Sequence, residues 1–231
     1  MKTTTKIICT LSACFAFSCA GLTSAYADNP AVKVAAPVAA TNAAEAPDTL
    51  VKRISQEVLE AAKSDKEIQA GNQQKILDLV NSKILPYVDF AYMTEIAAGR
   101  NWRVATPEQQ KQLIEQFRTL LVFTYSGALS QVKDQRLEYK PFRSAPEDTE
   151  VEVRSQVIQA RVGEAIQLNY RLRKTATGWK IYDINVLGAW LIETYKGNFT
   201  AEINKSGIDG LIKVLTDKNA KLSTSFAKKS K

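Results

Sequence analysis

The chain has 231 residues, 45% of them hydrophobic and 24% charged, with a net charge of +7 and no histidine. Histidine is the commonest general acid–base and the commonest metal ligand, so its absence excludes Ser-His-Asp triads, Cys-His pairs and ordinary zinc sites. The three cysteines, Cys9, Cys14 and Cys19, all fall within the first 27 residues, which excludes a disulfide scaffold or thiol chemistry in the rest.

Those first 27 residues read as a secretory signal. Lys2 and Lys6 form a positive n-region, Ile7 to Ala20 an apolar h-region, and Ala25-Tyr26-Ala27 an A-x-A cleavage site before Asp28. The apolar run is too short and too interrupted to span a membrane. A lipoprotein-type cut at "LSAC", ending at Cys14, would leave "FAFSCAGLTSAYA" as a greasy stub, which argues against it. A cysteine-free mature chain suits an oxidising periplasm. Losing Lys2 and Lys6 takes the charge from +7 to +5. That mild basic excess favours anionic lipid surfaces or acidic partners, and no basic–aromatic cluster argues for nucleic acid.

Residues 28–47 are Ala/Pro-rich with almost no large apolar groups. They cannot bury enough to offset ordering entropy, so a flexible linker is expected. Residues 48–221 form one domain with a sizeable core, and residues 222–231 are expected to be a frayed basic tail. Helices come first. Leu50, Ile54, Val58 and Ala61 recur at helical spacing, as do Ile76, Leu77, Val80 and Ile84. Pro86 opens "YVDFAYMTEIAAG", which Gly99 closes. "TPEQ" then gives Thr106 as N-cap, Pro107 at the first helical position and Gln109 completing a capping box. The helix that follows is expected to reach about Val132.

Strands follow. "LEYKPF" is a weak one, "TEVEVRSQV" alternates, and "AIQLNYRLRK" alternates more cleanly, with Ile166, Leu168, Tyr170 and Leu172 against Gln167, Asn169, Arg171 and Arg173. "ATGWKIYDINV" comes after a Thr-Gly turn. Short links predict an antiparallel sheet of about four strands, with helices after Gly188 and Gly207 at the end. The class is α+β, a curved antiparallel sheet with helices packed over one face.

Two aromatics fall off the helical stripes. Trp190 points away from the face made by Ile192, Tyr195, Phe199 and Ile203, and Phe123 sits with Gln116, Thr119 and Ser130. They are either stray exposed aromatics or a portal or partner-facing surface. Asp89 and Asp183 are the carboxylates best placed for base chemistry. Structural pairing, with Arg100 or Arg103 available, is the plainer reading. An enzyme working through Asp89 or Asp183 and a closed-core adaptor are the alternatives to a hollow binding protein.

Together, "KILPYVDFAYMTEIAAGRNWRVATPEQQ", "FRTLL", "TYSGAL", "YDINVLGAWLIETYKGNF" and "GIDGLIKVL" resemble the MlaC family of periplasmic phospholipid carriers, also called toluene-tolerance proteins. The resemblance covers about Leu50 to Lys221. It implies a nuclear-transport-factor-2-like fold with extra helices and an apolar cavity between sheet and helices. It implies a phospholipid held by its acyl chains as cargo, with no cofactor, metal or catalytic residue. It further implies exchange of lipid between an outer-membrane lipoprotein-porin complex and an inner-membrane ABC transporter with its lipid-binding domain, maintaining outer-membrane lipid asymmetry. On this reading the cavity wall comprises Ile166, Leu168, Tyr170, Leu172, Trp179, Ile181, Ile184 and Val186 from the strands. Leu85, Val88, Met93, Phe117, Leu121 and Tyr125 join it from the helices, with Trp190 near the mouth. Trp190 and Phe123 depart from the polar residues the family pattern leads one to expect.

Overall fold

The computed structural model describes residues 45–159 and 165–228. The expected leader, and the linker up to residue 44, lie outside the described residues. Six helices and five strands follow in order. They are α1 (Pro47–Ser64), α2 (Lys66–Gln69), α3 (Gln73–Lys83), α4 (Phe90–Ala98), α5 (Pro107–Tyr125), β1 (Arg136–Tyr139), β2 (Glu150–Ile158), β3 (Ile166–Thr175), β4 (Gly178–Val186), β5 (Ala189–Trp190) and α6 (Leu191–Lys228). The α+β class and the antiparallel sheet are as expected, but the sheet has five strands in the order β1-β2-β3-β4-β5.

Local chemistry sets the helix ends. Thr106 Oγ1 accepts from the Gln109 N–H and Gln109 Oε1 accepts from the Thr106 N–H, so the capping box forms. α5 stops at Tyr125 and continues as a 3₁₀ turn, Ser126–Gln131. It was expected to run on to Val132. Ser126, Gly127 and Ser130 are weak helix formers, and the Ser130 hydroxyl bonds back to the Gly127 carbonyl at 2.9 Å. The expected basic tail is instead helical to Lys228, because Leu222 and Phe226, one turn apart, both pack on apolar clusters. α6 breaks at Gly207 (φ 74°, ψ −178°), a conformation essentially reserved for glycine.

β4 carries the second irregularity. Arg171 pairs with Asp183 and Leu172 with Ile181, so Tyr182 is an unpaired bulge residue. The bulge re-aims Tyr182. Its ring meets Tyr92 of α4 edge-on at 5.1 Å, and both hydroxyls donate to Glu150, at 3.1 Å and 3.0 Å. Ile184, Tyr170, Leu172 and Ile181 therefore share one face, and Arg171 and Arg173 project from the other. A two-residue turn at Leu187 and Gly188, both at positive φ, then returns the chain as β5. The sequence reading had placed Trp190 in a helix.

Two helix N-termini are clamped to this sheet in the same way. Asp89 caps α4 by accepting from the Tyr92 N–H. Arg173, stacked 4.0 Å over the Tyr92 ring, reaches Asp89 at 3.6 Å. Asp183, 1% exposed, accepts from the Ile184 N–H at 2.9 Å and from the Ile192 N–H of α6 at 3.1 Å. Arg171 lies 3.5 Å from that carboxylate and 3.8 Å over the Trp190 ring. The partners of both aspartates are thus the strand arginines, not Arg100 or Arg103. Beyond β4, Val88 bridges Ile181 and the Asp89 N–H donates to the Ile181 carbonyl at 2.8 Å.

Two predictions follow from the clamps. Burial raises the Asp183 carboxyl above the ordinary range, outweighing the Ile192 and Ile184 N–H groups and Arg171, which lower it. A raised folded pKa gives stability that is full below the unfolded value, about 4, and is lost as pH rises through the folded value. Wild type should therefore lose stability relative to Asp183→Asn as pH is raised above about 4. Urea midpoints of both proteins at pH 4 and pH 7 test this, and a constant or opposite difference refutes it. Separately, Trp190→Ser removes the cation–π stack and should cost about 1–2 kcal/mol, lowering Tm by roughly 2–8 °C. An unchanged melting curve would show that the stack holds nothing.

Candidate functional site

The apolar side chains gather into two clusters. In the first, α1 contributes Leu50, Val51, Ile54 and Val58, and α3 contributes Ile76 and Leu79. Val153, Tyr170, Leu172, Trp179 and Ile181 of the sheet belong to the same cluster. The second is helical: Met93 and Ala97 of α4, Leu113, Phe117, Leu120 and Leu121 of α5, and Leu191, Ile192, Tyr195, Phe199, Leu211 and Leu215 of α6, joined by Tyr182. Ile184 packs against both. Ile184 thus marks a seam where the two apolar bodies of the fold meet.

The expected wall residues distribute around this seam unevenly. Tyr170, Leu172, Trp179 and Ile181 are buried in the first cluster, and Leu168 packs against it. Met93, Phe117 and Leu121 are buried in the second, with Val88 against it. Met93, Phe117 and Leu172 are 1%, 0% and 0% exposed. Their surface is already covered by protein, as when Phe117 meets Tyr195 and Phe199 edge-on at 5.0 Å each. Ile166, Leu168, Ile184 and Val186 are half-buried along the β3–β4 pair, and Leu85 is half-buried between helices. Tyr125 is 40% exposed. Trp190 of β5 pairs with Asn185. It lies against Arg171, on the other face of β3 from Tyr170 and Leu172.

Sequence reasoning missed a cleft of about 670 Å³, bounded by α2 and α3 on one side, the end of α5 on another, and the last turns of α6. Its fourteen lining residues include Gln73, Ile76, Phe123, Leu222 and Phe226, and none is charged. Phe123 also lines a second cleft of about 290 Å³, with Leu85 and Val122. The signal available in the sequence was Phe123 itself, an aromatic off the α5 stripe. These clefts are open to the surface, and the closed chamber expected between sheet and helices is not one of them.

Asp89 and Asp183 are each committed to a helix N-terminus and an arginine. Among the described residues, no three His, Cys, Asp or Glu side chains cluster as a metal ion requires, and no helix is long and apolar enough to cross a membrane. The arrangement suits holding an apolar guest.

The family model described as MlaC protein matches residues 52–217. The intermembrane phospholipid transport system binding protein MlaC of Haemophilus influenzae is 28% identical over 176 residues, covering 71% of this chain and 82% of its own. The toluene tolerance protein ttg2D of Pseudomonas putida is 25% identical over 170 residues, covering 73% of this chain and 78% of its own. A phospholipid-binding protein from Ralstonia solanacearum, solved in complex with a phospholipid, superposes with a TM-score of 0.73 at 46% identity, over 78% of this chain and 99% of that one. The family model and the structural likeness agree: this chain belongs to the MlaC family.

Proposed function

We propose that the protein is a soluble periplasmic phospholipid carrier. It takes lipid by the acyl chains at the seam between its two apolar clusters. It passes that lipid between an outer-membrane lipoprotein-porin complex and an inner-membrane ABC transporter with its lipid-binding domain, and so maintains outer-membrane lipid asymmetry. The observation that carries this reading is the 46% identity to a protein solved with phospholipid bound. A sequence that reads as an export signal at residues 1–27 supports the compartment.

The physics fits a carrier without catalytic groups. Two acyl chains with roughly thirty methylenes gain on the order of 24 kcal/mol on leaving water. A bilayer offers nearly the same, so the carrier needs only a matched apolar slot. Net direction must come from its partners or from energy input. Ile166, Leu168, Ile184, Val186, Leu85 and Val88 keep free apolar surface, and these are the wall residues we assign. Tyr170, Trp179, Ile181, Leu121 and Tyr125 back them.

Protein secreted into a periplasm and extracted with organic solvent should yield phospholipid by mass spectrometry. A lipid-free extract from folded protein would overturn the reading. Ile184→Glu places a carboxylate between two apolar clusters, where its charge is costly. It should remove most of the co-purified lipid, with the far-UV spectrum showing that the fold persists. Undiminished lipid in that folded variant would move the site away from the seam.

A further inference from the structure

The turn that joins β4 to β5 breaks two local rules at one residue. Val186 pairs with Ala189, so Leu187 and Gly188 are the whole connection. Both have positive φ, 54° and 88°. A two-residue hairpin turn with both central residues in that region favours Asn-Gly. Gly188 fits, but Leu187 does not. Among the described residues it is the only one besides glycines at positive φ, where a bulky L-residue is strained. Packing does not offset the strain, because Leu187 is 72% exposed. Its backbone N–H donates to the Gln167 carbonyl at 3.1 Å, a bond that asparagine would make equally well. An exposed leucine alone needs no explanation. One that is both exposed and strained does, because the fold gains nothing from that side chain.

The surroundings of the turn define what that side chain meets. Residues 165–169 and 184–192 contain no Asp, Glu, Lys or Arg, in a chain where 24% of residues are charged. Val186 pairs with Leu168, so the half-buried Ile184, Val186, Ile166 and Leu168 lead along β3 and β4 up to Leu187. Trp190 is half-buried on the returning strand, with Arg171 held 3.8 Å over its ring. An apolar tip in front of a tryptophan and a cation follows the polarity of a bilayer from hydrocarbon to headgroup. Leucine suits the hydrocarbon, tryptophan the boundary and a cation the phosphates. The net charge of +7 adds attraction to an anionic surface. A protein partner is recognised by complementary charges that fix its register, and this tip offers none.

We propose that the Leu187–Gly188 turn is a membrane-contact tip, which seats Leu187 in the outer hydrocarbon of an anionic bilayer and brings the ends of β3 and β4 against it. Binding of this kind grows with the apolar area buried and with attraction to anionic lipid. Because the apolar path from Leu187 leads to Ile184, this is the end of the sheet at which a lipid tail passes between bilayer and seam. That last step rests on the carrier reading above, and the contact itself does not.

The test is flotation of the full-length mature chain with vesicles of phosphatidylglycerol and phosphatidylethanolamine, beside its melting curve. Leu187→Asn installs the residue this turn favours, so Tm should rise by about 2–4 °C. It also takes the leucine out of the hydrocarbon, so partitioning onto vesicles should fall about tenfold. Leu187→Phe keeps an apolar side chain on the same strained backbone. It should float as wild type does and melt no higher. A purely structural residue would not give a more stable variant that binds vesicles less. Partitioning of Leu187→Asn equal to wild type overturns the proposal. So does a loss that Leu187→Phe shares, or a lower Tm for Leu187→Asn. A wild type that does not float, while its solvent extract holds phospholipid, overturns the contact and spares the carrier reading. A chain that floats but yields no extractable lipid overturns the carrier reading and leaves the contact standing.

Discussion

The buried carboxylate of Asp183 fixes more of this molecule than any other single group. Two N–H donors and one cation converge on it: the N–H of Ile184 on its own strand, the N–H of Ile192 at the start of α6, and the guanidinium of Arg171, 3.5 Å away. Burial alone would drive the charge out, and its pKa is indeed pushed upward. A helix N-terminus and a cation, both of which favour negative charge, work against that rise. The direction of α6 depends on this. So, through Gly207, does the position of everything from Leu211 to Phe226. Arg171 in turn is held by the Trp190 ring at 3.8 Å. Strand, hairpin and long helix therefore form one unit, hinged on a residue that the enzyme hypothesis would have made a base. Asp89, Arg173 and Tyr92 repeat the device at α4.

Much of the fold was legible because local chemistry decided it. The capping box at Thr106 and Gln109, the alternation of β3 and the helix stop at Gly99 need no tertiary information, and each formed as read. What the sequence hid has a common physical cause. Trp190 read as a helical residue because Ile192, Tyr195 and Phe199 set the period. Only the pairing of Asn185 with Trp190 adds two more strand residues before the helix begins. The tail after Leu222 read as frayed because its charges dominate the composition. Two apolar residues at a four-residue spacing sufficed to dock it. For Met93, Phe117 and Leu172 a periodic apolar face looks the same whether it meets protein or a guest. Burial separates them from Ile184 and Leu168, and burial is a property of the assembled fold.

The bulge at Tyr182 shows how one residue divides the sheet between its two duties. Without it, strict alternation through β4 would put Tyr182 on the face that carries Ile184. Ile181 and Trp179 would then point toward the arginines. The extra residue reverses the parity. Ile181 and Trp179 then continue the face of Leu172, and Tyr182 turns to Tyr92 and Glu150. The apolar face stays available to α1, α3 and the seam. The polar face becomes a ladder of stacked arginines and tyrosines that anchors α4 and α6. A substitution that erased the bulge would damage both at once, which a core defect confined to one cluster would not.

A carrier faces an unusual energetic constraint. Its guest gains about 0.8 kcal/mol per methylene on leaving water, but the membrane at either end of the journey offers nearly the same. Tight binding would therefore strand the lipid, and weak binding would never extract it. A solid core cannot meet this condition, because filling every gap with protein leaves no site. An open cavity in water is no better, since its dry walls would be exposed whenever the guest was absent. Splitting the apolar residues into two clusters joined at a seam reconciles the two demands. Each cluster is stable by its own packing, with Phe117, Phe199 and Leu113 sealing one and Leu50, Ile76 and Leu172 the other. Ile184 packs against both. In the carrier proposed above, a guest's own apolar surface would replace such contacts, so that loaded and unloaded forms differ little in free energy. Under that balance the distribution of lipid is set at the membranes, and the carrier's remaining freedom is the rate at which the seam opens.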